Sequence, residues 1–473
     1  MTTSRSKIVA TMGPACSSKE VLKQMIIEGV DVCRLNFSHG THDDHLNFIK
    51  LIREINNELG IHTAIMADMQ GPKLRIGNIE NNALQLNQDD LIHFVSEDCL
   101  GTKEKIFMSY KQLPQDVNPG DIILVDDGKI KLQVVETNRK DKVTLKVLFG
   151  GILSSKKGVN LPDTKIALPS LTEKDRQDAI FALQQDVDYI ALSFVRTATD
   201  IIDLRELIKK EKKNAGIIAK IEKPEALREI DEIIDATTAI MVARGDLGVE
   251  VAFDQVPMIQ KNIIQRCLAC SRPVIVATQM MESMITNFRP TRAEATDVAN
   301  AVLDGADALM LSGETSTGRD PVQVIRAMQQ IITHTENHGY SFYRNKPPVD
   351  FTPTFFPDSI CYTATVLAKQ TNAAGIITFT HSGLSAIRLS AQRPSARIFA
   401  FTGNITLIPK LSLMWGVTPL FFDEQKNIET AIEQSIAILR KKEFVKDNDI
   451  LVHVGSIPQN LKGRANMIRI THL

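Results

Sequence analysis

Short apolar runs rich in strand-forming residues recur along this chain, and most are followed by a polar turn and a helical pattern. Eight can be read: Lys7–Met12, Val32–Phe37, Thr63–Ala67, Tyr189–Val195, Gly216–Ile221, Ala239–Ala243, Pro273–Thr278 and Ala308–Leu311. Helical stretches such as Lys19–Glu28, His42–Leu59 and Asp200–Lys212 lie between them. Alternating strands and helices predict an α/β fold with a parallel sheet. Eight such units predict a sheet closed into a (β/α)8 barrel.

One interval is too long for the pattern. The stretch 71–162 carries no strand–helix repeat. Its alternating runs Ile130–Glu136 and Val143–Phe149, separated by the polar turn Thr137–Asp141, predict an inserted small β-barrel domain. Removing it leaves residues 1–70 and 163–340, close to the roughly 250 residues of a typical barrel of this kind. Four prolines, Pro347, Pro348, Pro353 and Pro357, then predict an extended linker. Beyond it, helical Ser359–Gln370, strand Gly375–Thr380 and helical Ser385–Gln392 predict that 341–473 holds a C-terminal α/β domain.

Composition narrows the function classes. With 55 Lys+Arg against 56 Asp+Glu, the net charge of -1 provides no basic field for nucleic acid or membrane surfaces. No apolar run reaches the ~18 residues of a membrane span, and the first residues have no apolar core for a signal peptide. The six cysteines do not read as a disulfide framework. Cys267 and Cys270 form one CxxC without a second ligand pair, so buried helical thiols are expected rather than zinc. A cytoplasmic location is expected.

In such barrels the chemistry gathers at the carboxyl ends of the strands. The second run continues through Arg34, Asn36 and Ser38, spaced by two and so on one face. The fifth ends in Lys220 and Glu222, again on one face, the sixth in Ala243-Arg244-Gly245-Asp246, and the seventh in Thr278. Glu222 and Asp246 suit a hard cation, Mg2+ or Mn2+. Arg34 and Lys220 would offset phosphate charge. Gly245 would let a substrate approach backbone N–H groups. A divalent site flanked by two cations points to phosphoryl transfer. There is no GxxxxGK[ST] loop, HRD/DFG set, zinc spacing or GxSxG elbow. Two other classes use similar parts: a metal-dependent aldolase or lyase, and a non-catalytic phosphometabolite-binding regulator.

Longer motifs decide among them. KIVATMGPA (7–15), RLNFSHG (34–40), DMQGPKLRIG (68–77), SKKGVNLP (155–162), AKIEKPEAL (219–227), MVARGDLGVE (241–250), the long run 277–315 and FTHSGLSAIRLS (379–390) together resemble the pyruvate kinase family. The resemblance covers essentially the whole chain. It implies transfer of the phosphoryl group of phosphoenolpyruvate to ADP, giving pyruvate and ATP, the final step of glycolysis. It implies Glu222 and Asp246 as divalent-metal ligands, and Lys220 and Arg34 facing the phosphoryl group. Ala243, Arg244, Gly245 and Asp246 would contact substrate. Thr278 would help deliver the proton that turns enolate into pyruvate, with Ser312 and Glu314 in the same relay. Arg75 and Lys157 would meet nucleotide phosphates, and Pro14, Asn36 and His39 would border the nucleotide. The inserted domain would act as a lid, and the oligomer would be a homotetramer.

Two further expectations rest on this resemblance. Thr378, Thr380, His381, Ser382, Gly383 and Ser385 run from a strand through a turn into a helix, which suits an effector's phosphate. A second phosphate loop is not evident in Val452–Arg464, which favours a sugar monophosphate or AMP over a bisphosphate. Asn36, Ser38 and Asp68 match a monovalent-cation site. The family's D-T-K-G-P-E-I-R-T, however, reads Asp68-Met69-Gln70-Gly71-Pro72-Lys73-Leu74-Arg75-Ile76 here. Lys73 replaces a carboxylate, and its ammonium would supply the charge that K+ otherwise brings. Activity without K+ is therefore expected.

Overall fold

The structure, a computed structural model, describes residues 4–164, 168–338, 344, 346–348, 353–423, 428–456 and 465–473. Eight parallel strands close into a barrel: β1 (Lys7–Thr11), β2 (Val32–Asn36), β3 (Ala64–Asp68), β4 (Tyr189–Leu192), β5 (Gly216–Ile221), β6 (Ala239–Ala243), β7 (Val274–Ala277) and β8 (Ala308–Leu311). Each coincides with an expected run to within a few residues. Both faces of these strands are covered, so they read as continuous apolar runs rather than alternating ones. One set of residues packs inside the barrel, including Val9, Met66, Tyr189, Ile218 and Met241. The alternate set, including Ile8, Leu35, Ile65, Ile190 and Val242, packs against the surrounding helices.

Several of those helices open in the same way. Thr41, Thr172 and Thr291 are N-caps, each with a carboxylate three residues on, Asp44, Asp175 and Glu294, completing a reciprocal capping box. Asp175 does more than cap. Its Oδ1 accepts the Gly71 N–H at 3.1 Å, tying the barrel to the point where the inserted segment departs. Gly71 has φ +70, and a Cβ there would stand 2.6 Å from the Phe194 ring. Glycine is required at that exit.

The inserted segment has its own core, with Phe94, Leu132, Val134, Leu145 and Val147 buried. Its six-stranded sheet runs in the order Val159–Asn160, Ile122–Val125, Ile130–Thr137, Lys142–Phe149, Leu91–Val95 and Ile106–Phe107, beside a two-stranded ribbon. The result is a half-barrel. The expected hairpin is present as the antiparallel pair Ile130–Thr137 and Lys142–Phe149.

The C-terminal sheet has the order β11 (Val417–Phe421), β10 (Arg397–Thr402), β9 (Gly375–Phe379), β12 (Ile450–Gly455), β13 (Met467–His472), with only β13 antiparallel. Its first helix begins at Phe355, earlier than the prolines suggest, because Pro357 sits in the first turn, where no N–H bond is lost. The rest of the expected linker is described only in part. This domain also closes the amino-terminal end of the barrel. Leu413 is fully buried among the barrel's inner residues. The Tyr189 hydroxyl donates to Lys410 O at 2.6 Å, and Ser412 Oγ donates to His62 O at 2.8 Å. Arg393, almost fully buried, pairs with Asp307 at 3.0 Å.

The CxxC expectation holds for Cys267, buried on its helix, but not for Cys270. That residue is the helix C-cap and is exposed, since the final turn points outward. All six thiols are free. Among the described residues no helix is long and apolar enough to cross a membrane.

Candidate active site

The carboxyl ends of the strands carry a chain of alternating charges. Asp68, at the end of β3, is 1% exposed and receives two cations. Arg34 Nε lies 2.6 Å from Asp68 Oδ2, and Lys220 Nζ lies 3.1 Å from Asp68 Oδ1. The Lys220 ammonium also reaches Glu222 Oε1 at 2.9 Å and donates to Ser193 Oγ at 2.6 Å. Arg34 donates in turn to Thr11 Oγ1 at 2.9 Å. The two-residue spacing of Lys220 and Glu222 does put both on one face.

These neighbours set the ionisation of the cluster. Burial alone would raise the Asp68 carboxyl, but Lys220 and Arg34 outweigh it and hold it below the usual carboxylate range. Burial would lower the Lys220 ammonium, but Asp68 and Glu222 outweigh it and raise it, so the lysine stays a cation. Glu222 is pushed up to about 7 by burial, against the pull of Lys220 and with repulsion from Asp246 adding to it. Two carboxylates that repel each other form a sink for positive charge. Glu222 Oε1 is buried with only the Lys220 ammonium beside it among the described residues, while Oε2 accepts from the Phe194 N–H at 2.9 Å. This donor set fits a hard divalent ion whose remaining ligands are water and substrate oxygens.

Asp246 sits in the first turn of the helix Arg244–Glu250 that follows β6. It lines a solvent-open cleft of about 590 Å³ between barrel and insert. From the insert come Lys73, Gly158 and Asn160, and from the barrel Phe194, Lys223 and Glu250. Ala243 ends β6 and is buried. The Gly245 N–H, expected to be open to substrate, donates to Thr278 Oγ1 at 2.8 Å. The Arg244 guanidinium points to Thr278 O at 2.7 Å and to Asp297 at 2.7 Å. Glu314 is buried and accepts the Ser312 N–H at 2.7 Å and the Met281 N–H at 3.2 Å, bracing the ends of β7 and β8.

The remaining expected residues of barrel and insert fall into four groups. Asn36 and Asp68 are register partners on β2 and β3, and the Ser38 N–H donates to Asn36 Oδ1 at 3.2 Å, so this trio is assembled. Lys73 is exposed in the cleft wall. His39 and Pro14 are exposed at the same end of the barrel, following β2 and β1. Arg75 and Lys157, on the two crossings of the insert, come together: Arg75 bridges Gly158, and the Ile76 N–H donates to Lys157 O at 3.0 Å. Lys157 Nζ is held by Asp126 at 2.8 Å.

In the C-terminal domain the loop after β9 folds back on itself. Thr378 Oγ1 and Ser385 Oγ are 2.7 Å apart, and Thr380 Oγ1 accepts the Gly383 N–H at 2.8 Å. Gly383, at φ +85, opens the helix Leu384–Ala391, and His381 and Ser382 are exposed. Of Val452–Arg464, residues 457–464 lie outside the described ones.

Three residues around the cleft were not anticipated. Glu250 Oε1 accepts from Lys223 Nζ at 2.6 Å and from Asn160 Nδ2 at 2.8 Å, joining barrel to insert. Glu250 lies four residues beyond Asp246 in one helix, a spacing that places both on one side and that could have flagged it.

Comparison with known proteins agrees with this arrangement. The family model described as "Pyruvate kinase, barrel domain" matches residues 3–325, and "Pyruvate kinase, alpha/beta domain" matches 358–471. A pyruvate kinase of Agrobacterium vitis is 43% identical over 474 residues, covering 99% of this chain and 98% of that one. One from Corynebacterium efficiens is 42% identical over 467 residues, covering 98% and 97%. A solved pyruvate kinase from Cryptosporidium parvum superposes with a TM-score of 0.92 at 34% identity, covering 99% of this chain and 96% of that one. Matched end to end in sequence and in fold, the chain belongs to the pyruvate kinase family.

Proposed function

We propose that the chain transfers the phosphoryl group of phosphoenolpyruvate to ADP, giving pyruvate and ATP, with the residues at the strand ends in the following roles. The observation that carries the reading is the buried Arg34–Asp68–Lys220–Glu222 array beside Asp246. Asp68 holds the two cations in place, so neither has to reorganise as charge moves. Arg34 and Lys220 face the phosphoryl group. Its P–O bond to the enol oxygen breaks, and a new bond forms to a terminal phosphate oxygen of ADP. The electron pair left on the enol oxygen makes an enolate. Glu222 and Asp246 would hold a divalent ion, Mg2+ or Mn2+, that supplies Lewis-acid stabilisation when bound. The Thr278 hydroxyl then helps deliver a proton to the enolate carbon, with Ser312 and Glu314 keeping its loop in register.

The inserted half-barrel acts as a lid. Water near the reacting phosphoryl group would divert it to hydrolysis, so a cover over the cleft has a purpose. Lys157 and Arg75 reach the nucleotide phosphates from that lid, Lys157 leaving Asp126 to do so. Pro14, Asn36 and His39 border the nucleotide. The C-terminal turn Thr378–Ser385 takes the phosphate of a sugar monophosphate or AMP. Lys73 makes K+ dispensable. The large apolar side chains Phe253 and Phe288, 86% and 76% exposed, support burial against further copies in a homotetramer. The working compartment in this reading is the cytoplasm.

A coupled pyruvate assay with phosphoenolpyruvate, ADP and Mg2+ tests the core of this reading. Pyruvate and ATP must appear in equal amounts. Pyruvate without ATP would refute it. Repeating the assay at low phosphoenolpyruvate with sugar monophosphates, AMP and fructose 1,6-bisphosphate tests the effector, and activation by the bisphosphate alone would overturn the ranking.

A further inference from the structure

Thr278 and Gln279 both adopt left-handed backbone, with φ +71 and +53. A β-branched residue in that region is an outlier, because its Cβ substituents crowd the neighbouring carbonyl. Such a conformation persists only where its surroundings impose it. Here one side chain supplies most of the surroundings' hydrogen bonds. Arg244 donates from Nη2 to Thr278 O at 2.7 Å and to Gln279 O at 3.4 Å, and from Nε to Ala277 O at 3.4 Å. Its Nη1 is anchored by Asp297, at 2.8 Å to Oδ1 and 2.7 Å to Oδ2, on the helix Arg292–Asp304. On the other side of the turn the Gly245 N–H donates to Thr278 Oγ1, and Oγ1 donates to Ala277 O at 2.6 Å. Arg244 and Gly245 are neighbours in sequence, so one dipeptide grips Thr278 by its carbonyl and by its hydroxyl.

We infer that Arg244 is a positioning residue, whose guanidinium holds the three successive carbonyls of residues 277–279 and thereby fixes the Thr278 hydroxyl at the end of β7, against the Gly245 N–H. This deepens the proposed function and rests on the role given there to Thr278. The fork geometry is what matters. Three carbonyls and a carboxylate need several donors in a fixed plane, which arginine has and the lysine ammonium lacks. The positive charge alone would leave the threonine free to relax toward extended backbone, and its hydroxyl would swing away from Gly245.

A double-mutant cycle tests this. Kinetics are measured for wild type, Arg244→Lys, Thr278→Ala and the double variant, with kcat and KM separated for both substrates. Arg244→Lys should lower kcat by about 10²-fold, the cost of a misplaced reacting group, with KM for ADP little changed. In the Thr278→Ala background the same change should cost less than about threefold, because the group it positions is gone. Full additivity of the two losses would overturn the inference, as would wild-type kcat in Arg244→Lys. If Thr278→Ala itself retains wild-type kcat, the role of Thr278 in the proposed function fails, independently of the clamp. Should Arg244→Lys fold poorly, Asp297→Asn loosens the same guanidinium while keeping an acceptor, and the same non-additivity with Thr278→Ala is required.

Discussion

Lys220 Nζ stands 2.9 Å from Glu222 Oε1, so the cation proposed to face the phosphoryl group is paired with a carboxylate proposed to hold the metal. Removing that carboxylate therefore has two effects. Glu222→Gln should lose a metal ligand and also strip a buried lysine of one countercharge. Asp246→Asn should lose the ligand and relieve the repulsion on Glu222, leaving the direct Lys220 pairs intact. Both should lower kcat by at least about 10²-fold, as expected when charge stabilisation at the reacting centre is lost. Only Glu222→Gln should also lower the melting temperature appreciably. Direct Mn2+ titration of each variant should show weakened binding. Retention of wild-type Mn2+ affinity in both variants would remove the metal assignment.

The Asn160–Glu250–Lys223 contact makes a separate prediction about the lid. Glu250→Ala leaves Lys223 buried and unpaired, which should destabilise the protein by about 3–5 kcal/mol. Asn160→Ala removes only the hydrogen bond across the cleft and should cost about 1 kcal/mol or less. Its main effect should be a more protease-sensitive insert and a raised KM for ADP. Urea unfolding and limited proteolysis measure the two. Equal destabilisation by both variants would contradict this account.

Potassium gives a third. Asp68 already carries Arg34 and Lys220, and Lys73 adds a further positive charge to the wall of the cleft. Activity in Tris or tetramethylammonium salts with Mg2+ should match that with added K+. Lys73→Glu should introduce a potassium requirement, weakened by the companion residues Met69, Gln70 and Ile76. A wild-type enzyme inactive until K+ is supplied would end the proposal.

His453 is fully buried on β12, and neither ring nitrogen has a hydrogen-bond partner among the described residues. Burial, with a smaller contribution from the charge of Arg469, pushes its imidazole down to about 4. A folded-state value below the unfolded one means that the neutral form is the one accommodated. The stability so provided is complete above the unfolded value near 6.5 and is lost as the pH falls towards 4. The loss should total about 3 kcal/mol. Denaturant midpoints between pH 7 and 4 should fall more steeply for wild type than for His453→Leu. Parallel profiles would show that another group governs acid sensitivity.

The strand ends were readable because alternation is strict: Lys220 and Glu222, two apart at the end of β5, had to share a face. The charge partners across strands were harder to see. That Asp68 would bind both Arg34 and Lys220 depends on the shear of a closed barrel, which brings β3 close to residues far along the chain. The role of Arg244 was hidden for a different reason. Two residues of positive φ after β7 turn the Thr278 carbonyl towards it, and nothing in the letters Ala277-Thr278-Gln279 announces that reversal. Cys270 was misread as buried because helical periodicity says nothing about where the helix stops.

Leu413 fills the floor of a barrel to which, by sequence, it does not belong. The tail is thus a stopper as well as a separate sheet. A barrel expressed alone, ending before residue 353, would have a greasy hole where Leu413 sits and an Asp307 without its Arg393 partner. Evolution could not exchange this tail for another without supplying a plug of the same shape. Two regions that look like modules in the sequence are one object in folding, and any signal received by the tail has a rigid point of entry at the base of the catalytic strands.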